Sequence, residues 1–422
     1  KRGDVITRIH DESGNVISET WPVVGTRTME YDEHGNLVLE RDFKGVETRH
    51  EYDRRDHRVA TITEGADQSR GVNYSVDEQG NITRKDRGAG RVTEYQYNDL
   101  GLRTKITDAN GKVTRKRYDD EGNLVQETDR RGNVTNYVYN KVNRRISENG
   151  PLNRTIEWQY DGEGNVRKKV DANGNTTIRT WTQHGELETE AVTGADGGQG
   201  RSIEKHYDPA GNLVRSINGR GKETRYQYDS LNRRTSVDRP DPLGRIEYLN
   251  RDGAGNVLRE RRPNGNVVVR QWDARNRLLR ETDSLGLRKA RAYDANGNVT
   301  SKTDARGTTI DLEYNAFNEV VRKEMPQHGE GQRIVTFEYD AQGNRRFRRV
   351  NDTLAPNMPT LAWETEYDLL NRPVRKHDPV NSNPKIITYD AEGNRESVVD
   401  KRGLRTEYTH DALGRTVRVA KP

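Results

Sequence analysis

Cysteine is absent from the 422-residue chain, and long apolar runs are absent as well. Without cysteine the fold does not depend on disulfides or on thiolate metal sites, and no redox compartment can be inferred. No apolar run approaches the length that spans a membrane, and there is no secretory signal peptide. No helical periodicity extends over a useful window, and no linker divides the chain. These absences exclude a disulfide-rich scaffold and a helical membrane protein.

The composition is too polar for a solid core of this length. Hydrophobic residues make up 30% of the chain, charged residues 33%, and the mean hydropathy is −1.14. Such values are close to those of disordered chains, yet 19 Tyr, 5 Trp and regular turn sequences argue for order. A single-layer ribbon reconciles these facts, because each repeat then packs mainly on its neighbours and both faces stay near solvent.

A repeat of 21 residues organises the chain, as the stretch from Tyr118 to Tyr139 illustrates. Each copy has two D-x-x-G turns, in which the Asp side chain can bond nearby N–H groups and the Gly adopts the left-handed conformation. Gly122 and Gly132 are 10 residues apart, which leaves strands of roughly 6–7 residues. The unit is therefore a β-hairpin.

The tyrosine position recurs in 19 copies, and 12 of the 18 intervals between copies are 21 residues long. The copies are His10, Tyr31, Tyr52, Val76, Tyr97, Tyr118, Tyr139, Tyr160, Trp181, Tyr207, Tyr228, Arg251, Trp272, Tyr293, Tyr314, Tyr339, Tyr367, Tyr389 and His410. The longer intervals hold loop-like insertions near Glu64–Gly71, Gly194–Gly200, Arg239–Arg245, Pro326–Gln332, Asn351–Thr360 and Asp378–Lys385. We predict one continuous array over residues 1–422, although length alone would suggest two or three domains.

Turn geometry and strand alternation predict which side chains face each other. The predicted partners are Tyr118 with Leu124, Tyr31 with Leu37, Tyr160 with Val166, Tyr207 with Leu213 and Tyr293 with Val299. Period-2 alternation puts Thr135, Tyr137 and Tyr139 on one face. The opposite face should be wet; it holds Glu94, Gln96, Arg115, Arg117, Arg225 and Gln227.

The predicted structural positions are the tyrosines of the repeat and the glycines of its turns. The glycines are Gly35, Gly122, Gly132, Gly211 and Gly297. We expect positive φ at these glycines, so that an Ala there costs about 1 kcal/mol or more.

The expected ribbon is long enough to curl. Roughly 38 strands at about 4.8 Å give a length of roughly 180 Å, and strand twist must curve so long a sheet. Closed on itself, the ribbon would make a shell only ~35 Å across, barely enough for one small domain. The fold class we predict is all-β, a continuous array of antiparallel β-hairpins curled into part of a larger hollow shell, with the Tyr/Leu face inward.

The pattern Y-D-x-x-G-N-[LV], followed by a second glycine turn and T-x-Y-x-Y, resembles the YD-repeat of the Rhs family. It occurs as Tyr118-Asp119, Gly122-Asn123-Leu124, Gly132, Thr135, Tyr137 and Tyr139, and again as Tyr207-Asp208, Gly211-Asn212-Leu213, Gly221, Thr224, Tyr226 and Tyr228. The resemblance covers essentially the whole chain.

This resemblance implies a secreted bacterial polymorphic toxin, related to the toxin-complex cocoon and the teneurin barrel. It implies a shell that encloses a C-terminal toxin domain of the same parent as cargo until delivery to a competitor cell, with no enzyme activity of its own and no cofactor. The protein would be made in the cytoplasm and exported by type VI secretion. A secretion spike and a chaperone would bind domains outside this chain, and neither nucleic acid nor a membrane is expected as a partner.

Bacterial relatives are cut near a D-P-x-G-L motif, and only Asp241-Pro242-Leu243-Gly244-Arg245 approaches it here. It lies within the array and has Arg in place of Leu, so we interpret it as a turn. Because the chain starts at Lys1 partway into a repeat and ends at Pro422 in a strand, we expect an internal fragment without the delivery domain, cleavage core and toxin.

Other interpretations of the motifs are weaker. Asp171–Asn175 and Asp294–Asn298 come nearest to calcium loops, but hairpin turns explain them better. The nine scattered His and the 67 Asp and Glu show no catalytic or zinc spacing. Arg259–Arg262 and Arg345–Arg349 could bind nucleic acid, but a solvated strand face is favoured; a basic surface could also hold an acidic cargo.

Two other functions remain open. The repeated tyrosines could bind carbohydrate, although packing is favoured because they recur at every repeat. An extracellular or cell-surface adhesion module that binds carbohydrate is therefore the alternative function. An enzyme with its site in an insertion loop is the third class.

Overall fold

The computed structural model describes residues 5–22, 24–66, 68–198, 200–326, 331–353 and 360–422. Within these residues the chain forms 38 β-strands and no helix, and therefore no helix that could cross a membrane. The strands are β1 (Thr7–His10), β2 (Val16–Trp21), β3 (Gly25–Tyr31), β4 (Leu37–Arg41), β5 (Glu47–Tyr52), β6 (Arg58–Glu64), β7 (Ser69–Val76), β8 (Ile82–Asp86), β9 (Val92–Tyr97), β10 (Arg103–Thr107), β11 (Val113–Tyr118), β12 (Leu124–Thr128), β13 (Val134–Tyr139), β14 (Arg145–Gly150), β15 (Arg154–Tyr160), β16 (Val166–Val170), β17 (Thr176–Trp181), β18 (Leu187–Thr193), β19 (Arg201–Tyr207), β20 (Leu213–Ile217), β21 (Glu223–Tyr228), β22 (Arg234–Arg239), β23 (Gly244–Arg251), β24 (Val257–Arg261), β25 (Val267–Trp272), β26 (Leu278–Asp283), β27 (Gly286–Tyr293), β28 (Val299–Thr303), β29 (Thr309–Tyr314), β30 (Val320–Pro326), β31 (Gln332–Tyr339), β32 (Arg345–Asp352), β33 (Leu361–Tyr367), β34 (Pro373–His377), β35 (Lys385–Tyr389), β36 (Arg395–Val399), β37 (Arg405–His410) and β38 (Thr416–Ala420).

The chain divides into two compact units. Unit 1 comprises Lys116–Thr128 and Gly132–Gly286, and unit 2 comprises the described residues up to Arg115 together with Asp129–Arg131 and Leu287–Pro422. Within each unit the described strand pairs are antiparallel and join strands that follow each other in the chain, such as β13 with β14 and β29 with β30. The predicted array of antiparallel hairpins is confirmed.

The predicted register is confirmed at four repeats. Facing partners are Tyr31 with Leu37, Tyr160 with Val166, Tyr207 with Leu213 and Tyr293 with Val299. Beside each of these tyrosines the register shifts by one residue, which is a β-bulge. The D-x-x-G turn produces the bulge because its last residue takes the left-handed conformation.

The two faces of the sheet differ in burial. We name the face that carries the side chains of the tyrosine position the tyrosine face. Along β13, Thr135, Tyr137 and Tyr139 lie half-buried on this face, whereas the alternate residues are exposed. Each residue predicted to be wet is exposed: Glu94, Gln96, Arg115, Arg117, Arg225 and Gln227.

The core is thin. The buried apolar side chains among the described residues are Met29, Leu39, Ala60, Ile156, Val237, Val268, Val335, Ile387 and Val398. Val268 in β25 is the most enclosed, with no exposed surface. So few buried side chains fit a ribbon one sheet thick, in which hydrogen bonds between strands carry much of the structure.

The two edges of the ribbon also differ. Turns that follow odd-numbered strands come directly after the tyrosine position, and we call this side the tyrosine edge. Turns that follow even-numbered strands form the variable edge. The six insertions lie at the variable edge, after β6, β18, β22, β30, β32 and β34. Residues 67, 199, 327–330 and 354–359 within these insertions lie outside the described residues.

Candidate functional site

Tyrosine hydroxyls join each repeat to the one before it. The Tyr139 hydroxyl donates to the carbonyl oxygen of Leu124 at 3.0 Å, and Leu124 opens the strand that follows Tyr118. Equivalent bonds of 2.7–3.2 Å run from Tyr31 to Val16, Tyr52 to Leu37, Tyr97 to Ile82, Tyr160 to Arg145, Tyr207 to Leu187, Tyr228 to Leu213, Tyr314 to Val299, Tyr339 to Val320, Tyr367 to Arg345 and Tyr389 to Pro373. Tyr118 and Tyr293 occupy the same position at the ends of β11 and β27. Because a half-buried hydroxyl needs an acceptor, the repeat requires the hydroxyl as well as the ring.

Three of the copies without tyrosine have another side-chain donor at this position, whereas Val76 has none. The substitutes are the Trp181 indole to Val166 at 3.1 Å, the Trp272 indole to Val257 at 3.0 Å and the Arg251 guanidinium to Arg234 at 2.6 Å. Most copies therefore share a hydrogen bond to the preceding repeat. The sequence pattern predicted packing for these residues and not the bond, although 19 Tyr against 4 Phe is a signal for it.

The turn aspartates cap their own turns. Asp119 Oδ1 accepts the backbone N–H of Asn123 at 2.7 Å, and Asp119 Oδ2 accepts the Asn123 side-chain amide at 3.0 Å. The side-chain bond is the largest cause that holds the pKa of Asp119 below its ordinary value of 3.8. At Asp229 the Arg233 guanidinium is the largest cause, and it lowers the pKa to about 2.

The two calcium-like sequences form the same capped turns. Asp171 accepts the backbone N–H groups of Asn173 and Asn175 and the side-chain amide of Asn175, at 2.9, 3.0 and 2.9 Å. Asp294 accepts both donors of Asn298, at 2.8 and 2.9 Å. These oxygens thus already have partners within the turn. In the described ranges no group of three or more His, Asp or Glu is placed to hold a metal ion.

A second chain of hydrogen bonds follows the tyrosine edge. The Asn123 side chain donates to Asn143 Oδ1 in the next turn at 3.0 Å. Asn143 has φ +58° and occupies the position that Gly122 occupies in the turn after Tyr118. Bonds of 2.7–2.9 Å repeat this arrangement from Asn212 to Asn232, Asn256 to Asn276, Asn298 to Asn318 and Asn344 to Asn371. Asn tolerates the left-handed region well. In these stretches the structural unit is therefore a pair of repeats, one turn closed by Gly and the next by Asn.

The glycines singled out from the sequence lie in the left-handed region. Their φ values are +84° at Gly35, +84° at Gly122, +88° at Gly132, +81° at Gly211 and +98° at Gly297. A side chain in this region is strained. Residues 240–243 form the turn between β22 and β23, where the Leu243 N–H donates to the Pro240 carbonyl at 3.0 Å, and Gly244 and Arg245 open β23. The Asp241–Arg245 sequence is therefore part of a turn, as predicted.

Within unit 2, the variable edge of one stretch contacts the tyrosine edge of a later stretch. The Arg70 guanidinium donates to both carboxylate oxygens of Glu319, at 2.9 and 2.8 Å, and lies 3.8 Å from the centre of the Phe317 ring. The Arg70 and Glu319 side chains are only 18% and 17% exposed. They are 249 residues apart in the chain, so no local pattern announces this pair.

Further contacts join the variable edge to the tyrosine edge in the same way. We call these contacts, together with that of Arg70 and Glu319, the seam. They join Asp42 with Asn296 at 2.6 Å, Lys44 with Asp294 at 3.5 Å, Arg91 with Asp340 at 3.9 Å, the Arg87 carbonyl with Gln342 at 3.4 Å, and Arg131 with Asp390 at 3.7 Å and the Asp411 carbonyl at 3.1 Å. Most are basic side chains of the variable edge on the turn caps of the tyrosine edge. The seam thus uses the same aspartates that close the turns.

The two arginine-rich sequences do not form single patches. Arg348 stacks at 4.3 Å over Trp363 on the tyrosine face, whereas Arg346 lies 3.2 Å from Glu364 on the other face. In the other sequence, Arg261 lies 2.7 Å from Glu247 and Arg262 lies 3.4 Å from Glu260. Strand alternation and ion pairing therefore divide both runs.

Five segments of the chain match the family model described as RHS Repeat. They are residues 76–114, 118–155, 207–242, 251–288 and 293–326. Each of these segments contains two successive turns at the tyrosine edge, and in four of the five segments an asparagine–asparagine hydrogen bond joins the two turns. No curated protein sequence matches the chain.

Solved structures of toxin complexes share the fold. The similarity to a chain in the crystal structure of TcdB2-TccC3-Cdc42 has a TM-score of 0.70 at 14% identity and covers 98% of this chain and 28% of that chain. For TcdB2-TccC3 the values are 0.70, 14%, 99% and 28%, and for the Photorhabdus luminescens Tc holotoxin pore they are 0.65, 12%, 94% and 27%. The chain thus spans little more than a quarter of these neighbours. The matched segments show that the chain contains RHS repeats, and the shared fold agrees with this.

Proposed function

We propose that this chain is part of the wall of a hollow shell that encloses a toxin domain of its own parent protein. The observation that carries the proposal is the fold, which over 98% of the chain is that of a TcdB2-TccC3 chain. The Tc holotoxin pore shares it over 94%. A ribbon with a thin core and polar faces suits a wall, because it surrounds volume with little buried material.

The wall acts by exclusion. It keeps cytosolic partners away from the cargo and restrains the cargo in an incompletely folded state. A ribbon one sheet thick can exclude other molecules only where its edges are sealed. In unit 2 the seam supplies such a seal, because basic side chains of one edge bind the capped turns of the other.

The narrower form of the proposal concerns the parent protein. We propose that residues 1–422 form one array without catalytic residues, and that the parent is a bacterial polymorphic toxin. Type VI secretion would deliver it to competing bacteria, and the secretion spike and chaperone would bind outside this chain. The cargo is then the C-terminal toxin domain.

The test is a cryo-EM map of the parent protein that contains this chain. We expect density inside the wall that the repeats do not explain, and mass spectrometry should find a C-terminal peptide separated from the shell. An open and empty cavity would contradict the proposal. Glycan binding by that open form would instead support the adhesion module, and turnover by the purified chain would support an enzyme.

A further inference from the structure

Many charges on the tyrosine face of unit 1 form ion pairs, although Lys169 and Lys205 on that face form none within the described residues. Glu148 lies 3.3 Å from Arg145 of its own strand and 3.4 Å from Arg154 of the next strand. Further pairs on this face are Lys116 with Glu127 at 3.8 Å, Arg179 with Glu190 at 2.8 Å, and Arg270 with Glu260 at 3.0 Å and Glu281 at 2.8 Å. Opposite charges on adjacent strands stabilise a sheet. An acidic ligand would find many of these cations already occupied.

Strands β28–β34 of unit 2 differ. Besides Arg333 and Arg345, their register puts one cation on the tyrosine face of each second strand: Lys302, Lys323, Arg348 and Lys376. In the described part of the chain none of the four forms an ion pair. Lys302 faces Arg291 directly, and Lys376 faces Lys385. Like charges in facing positions destabilise a sheet, so these residues gain nothing from each other. We call the four cations the basic row.

The carboxylates of this stretch lie mainly on the opposite face. There Glu313 and Glu324 each lie 2.8 Å from Arg322, and Glu366 lies 3.6 Å from Arg375. On the tyrosine face, the strand positions of β28–β34 include the carboxylate of Asp352, which lies 3.9 Å from Arg333. The stretch therefore has one neutralised face and one basic face.

The spacing of the basic row fits an extended polypeptide. Successive cations are two strands apart and are also offset by two residues along the strand, because Lys302 faces Ile310 whereas Lys323 faces Leu312. With strands about 4.7–4.9 Å apart, the spacing is roughly 12 Å. An extended chain advances about 3.3 Å per residue, so acidic residues at every third or fourth position would meet successive cations.

A single-stranded nucleic acid is a less suitable ligand. Such strands bind by stacking bases on free aromatic faces. Here the guanidinium of Arg348 lies 4.3 Å from the centre of the Trp363 ring, and Arg345 lies 5.2 Å from the centre of the Phe337 ring. Because arginine already lies over both rings, an acidic side chain can approach the cations while a base must displace them.

We propose that the basic row binds an acidic, extended segment of a polypeptide. The identity of that polypeptide rests on the proposed function, under which it belongs to the enclosed toxin domain. The row would then be a part of the wall that holds the cargo.

A first experiment uses the 422-residue chain and a fluorescent poly-glutamate peptide at low and at physiological salt. The variant Lys302→Gln/Lys323→Gln/Lys376→Gln should weaken binding about tenfold, as expected for three exposed ion pairs. The matched control Lys105→Gln/Lys168→Gln/Lys222→Gln removes the same charge elsewhere and should change affinity less than twofold. Equal losses in the two variants would reduce the effect to net charge and overturn the proposal. Tighter, row-dependent binding of oligo-dT would overturn it in favour of nucleic acid.

A second experiment uses the parent protein and a carbodiimide, which joins lysine amines to carboxylates in direct contact. We expect Lys302, Lys323 or Lys376 to be joined to Asp or Glu residues of the cargo, and Lys105 and Lys168 not to be. A filled shell without such links would overturn the inference and leave the proposed function standing. An empty shell whose wall still binds poly-glutamate through the row would contradict the proposed function and leave the basic row as a site for another acidic polypeptide.

Discussion

Both edges of the ribbon consist of turns that close hairpins, but the turns of the two edges are under different structural constraints. At the tyrosine edge each turn has the same length, and tyrosine and asparagine side chains bond neighbouring turns. At the variable edge the turns differ in length and hold the insertions. An inserted residue at the tyrosine edge would break the tyrosine hydrogen bond and, within a pair of repeats, the asparagine hydrogen bond as well. The comparison shows that regularity is concentrated on one side, while the other side supplies the side chains that reach across the seam.

The largest effect should come from breaking the seam, where the two edges meet. The variant Arg70→Met leaves the Glu319 carboxylate poorly exposed and without its charged partner. We expect a loss of about 2–3 kcal/mol. The measurement is hydrogen exchange of the amides in the turn at residues 315–319, together with urea unfolding.

The matched control for the seam is Arg84→Met. Arg84 lies 3.0 Å from Asp86 but is 45% exposed, so its loss should cost less than about 0.5 kcal/mol. Equal effects of Arg70→Met and Arg84→Met would mean that the seam adds nothing to an ordinary surface ion pair.

A smaller effect should be shared by both edges. Gly122→Ala at the tyrosine edge and Gly132→Ala at the variable edge place a side chain at φ +84° and +88°. Each should cost about 1 kcal/mol or more. Gly150→Ala is the control, because a Cβ there would make ordinary contacts of 3.7 and 3.9 Å. Thermal unfolding of the three variants checks this, and a clear difference between Gly122→Ala and Gly132→Ala would show that the edges also differ in backbone strain.

The sequence was sufficient to predict what is local. Turn chemistry fixes the bulge beside Tyr31 and Tyr160, and the bulge fixes the register and the faces. The hydroxyl bond of Tyr139 was missed because its acceptor belongs to the preceding repeat. Period-2 alternation says which face a side chain occupies, but it does not say which carbonyl the side chain reaches.

The seam and the basic row could not be predicted for a different reason. Arg70 and Glu319 are 249 residues apart in the chain, and no local residue pattern encodes a contact at that separation. The basic row was hidden because alternation scatters its members through the sequence, whereas the run Arg345–Arg349, which looks basic, is divided between two faces. The local charge of a sheet face depends on which face each basic residue occupies, and not on how many basic residues follow one another in the sequence.

A still smaller effect on stability should come from a change that affects only the tyrosine edge. Tyr139→Phe keeps the ring but removes the donor to Leu124, so the hydrogen-bonded carbonyl loses its partner. We expect a loss of about 1 kcal/mol. Tyr137→Phe is the matched control, because the Tyr137 hydroxyl makes no hydrogen bond in the part of the chain that the structure describes. Urea unfolding of the two variants measures the difference, and equal stabilities would mean that the ring alone accounts for the tyrosine.

The smallest effect is the change in stability at acidic pH. Acid should destabilise the tyrosine-edge turn of Asp229, whereas it should stabilise the turn of the seam residue Glu392. The Arg233 guanidinium lowers the pKa of Asp229 to about 2. The ionised Asp229 carboxylate therefore contributes its full stabilisation above the ordinary pKa of 3.8, and this contribution is lost as the pH falls towards 2. At Glu392, in a turn that faces Arg131, burial and the nearby Asp129 raise the pKa above its ordinary 4.5.

A raised pKa means that the folded state holds the proton more tightly, so Glu392 destabilises its turn once the pH exceeds that pKa. Glu392→Gln should then increase the hydrogen-exchange protection of residues 390–394 at pH 7, whereas Asp229→Asn should decrease the protection of residues 229–233. Asp390 in the same seam turn has a lowered pKa, through Asn394 and Arg131 despite its burial, so it should lose protection in acid like Asp229. The single-residue variants separate these contributions. If Glu392→Gln lowered the protection at pH 7, the Glu392 carboxylate would stabilise the seam. The proposed difference, in which Asp229 stabilises its turn and Glu392 destabilises the seam, would then be wrong.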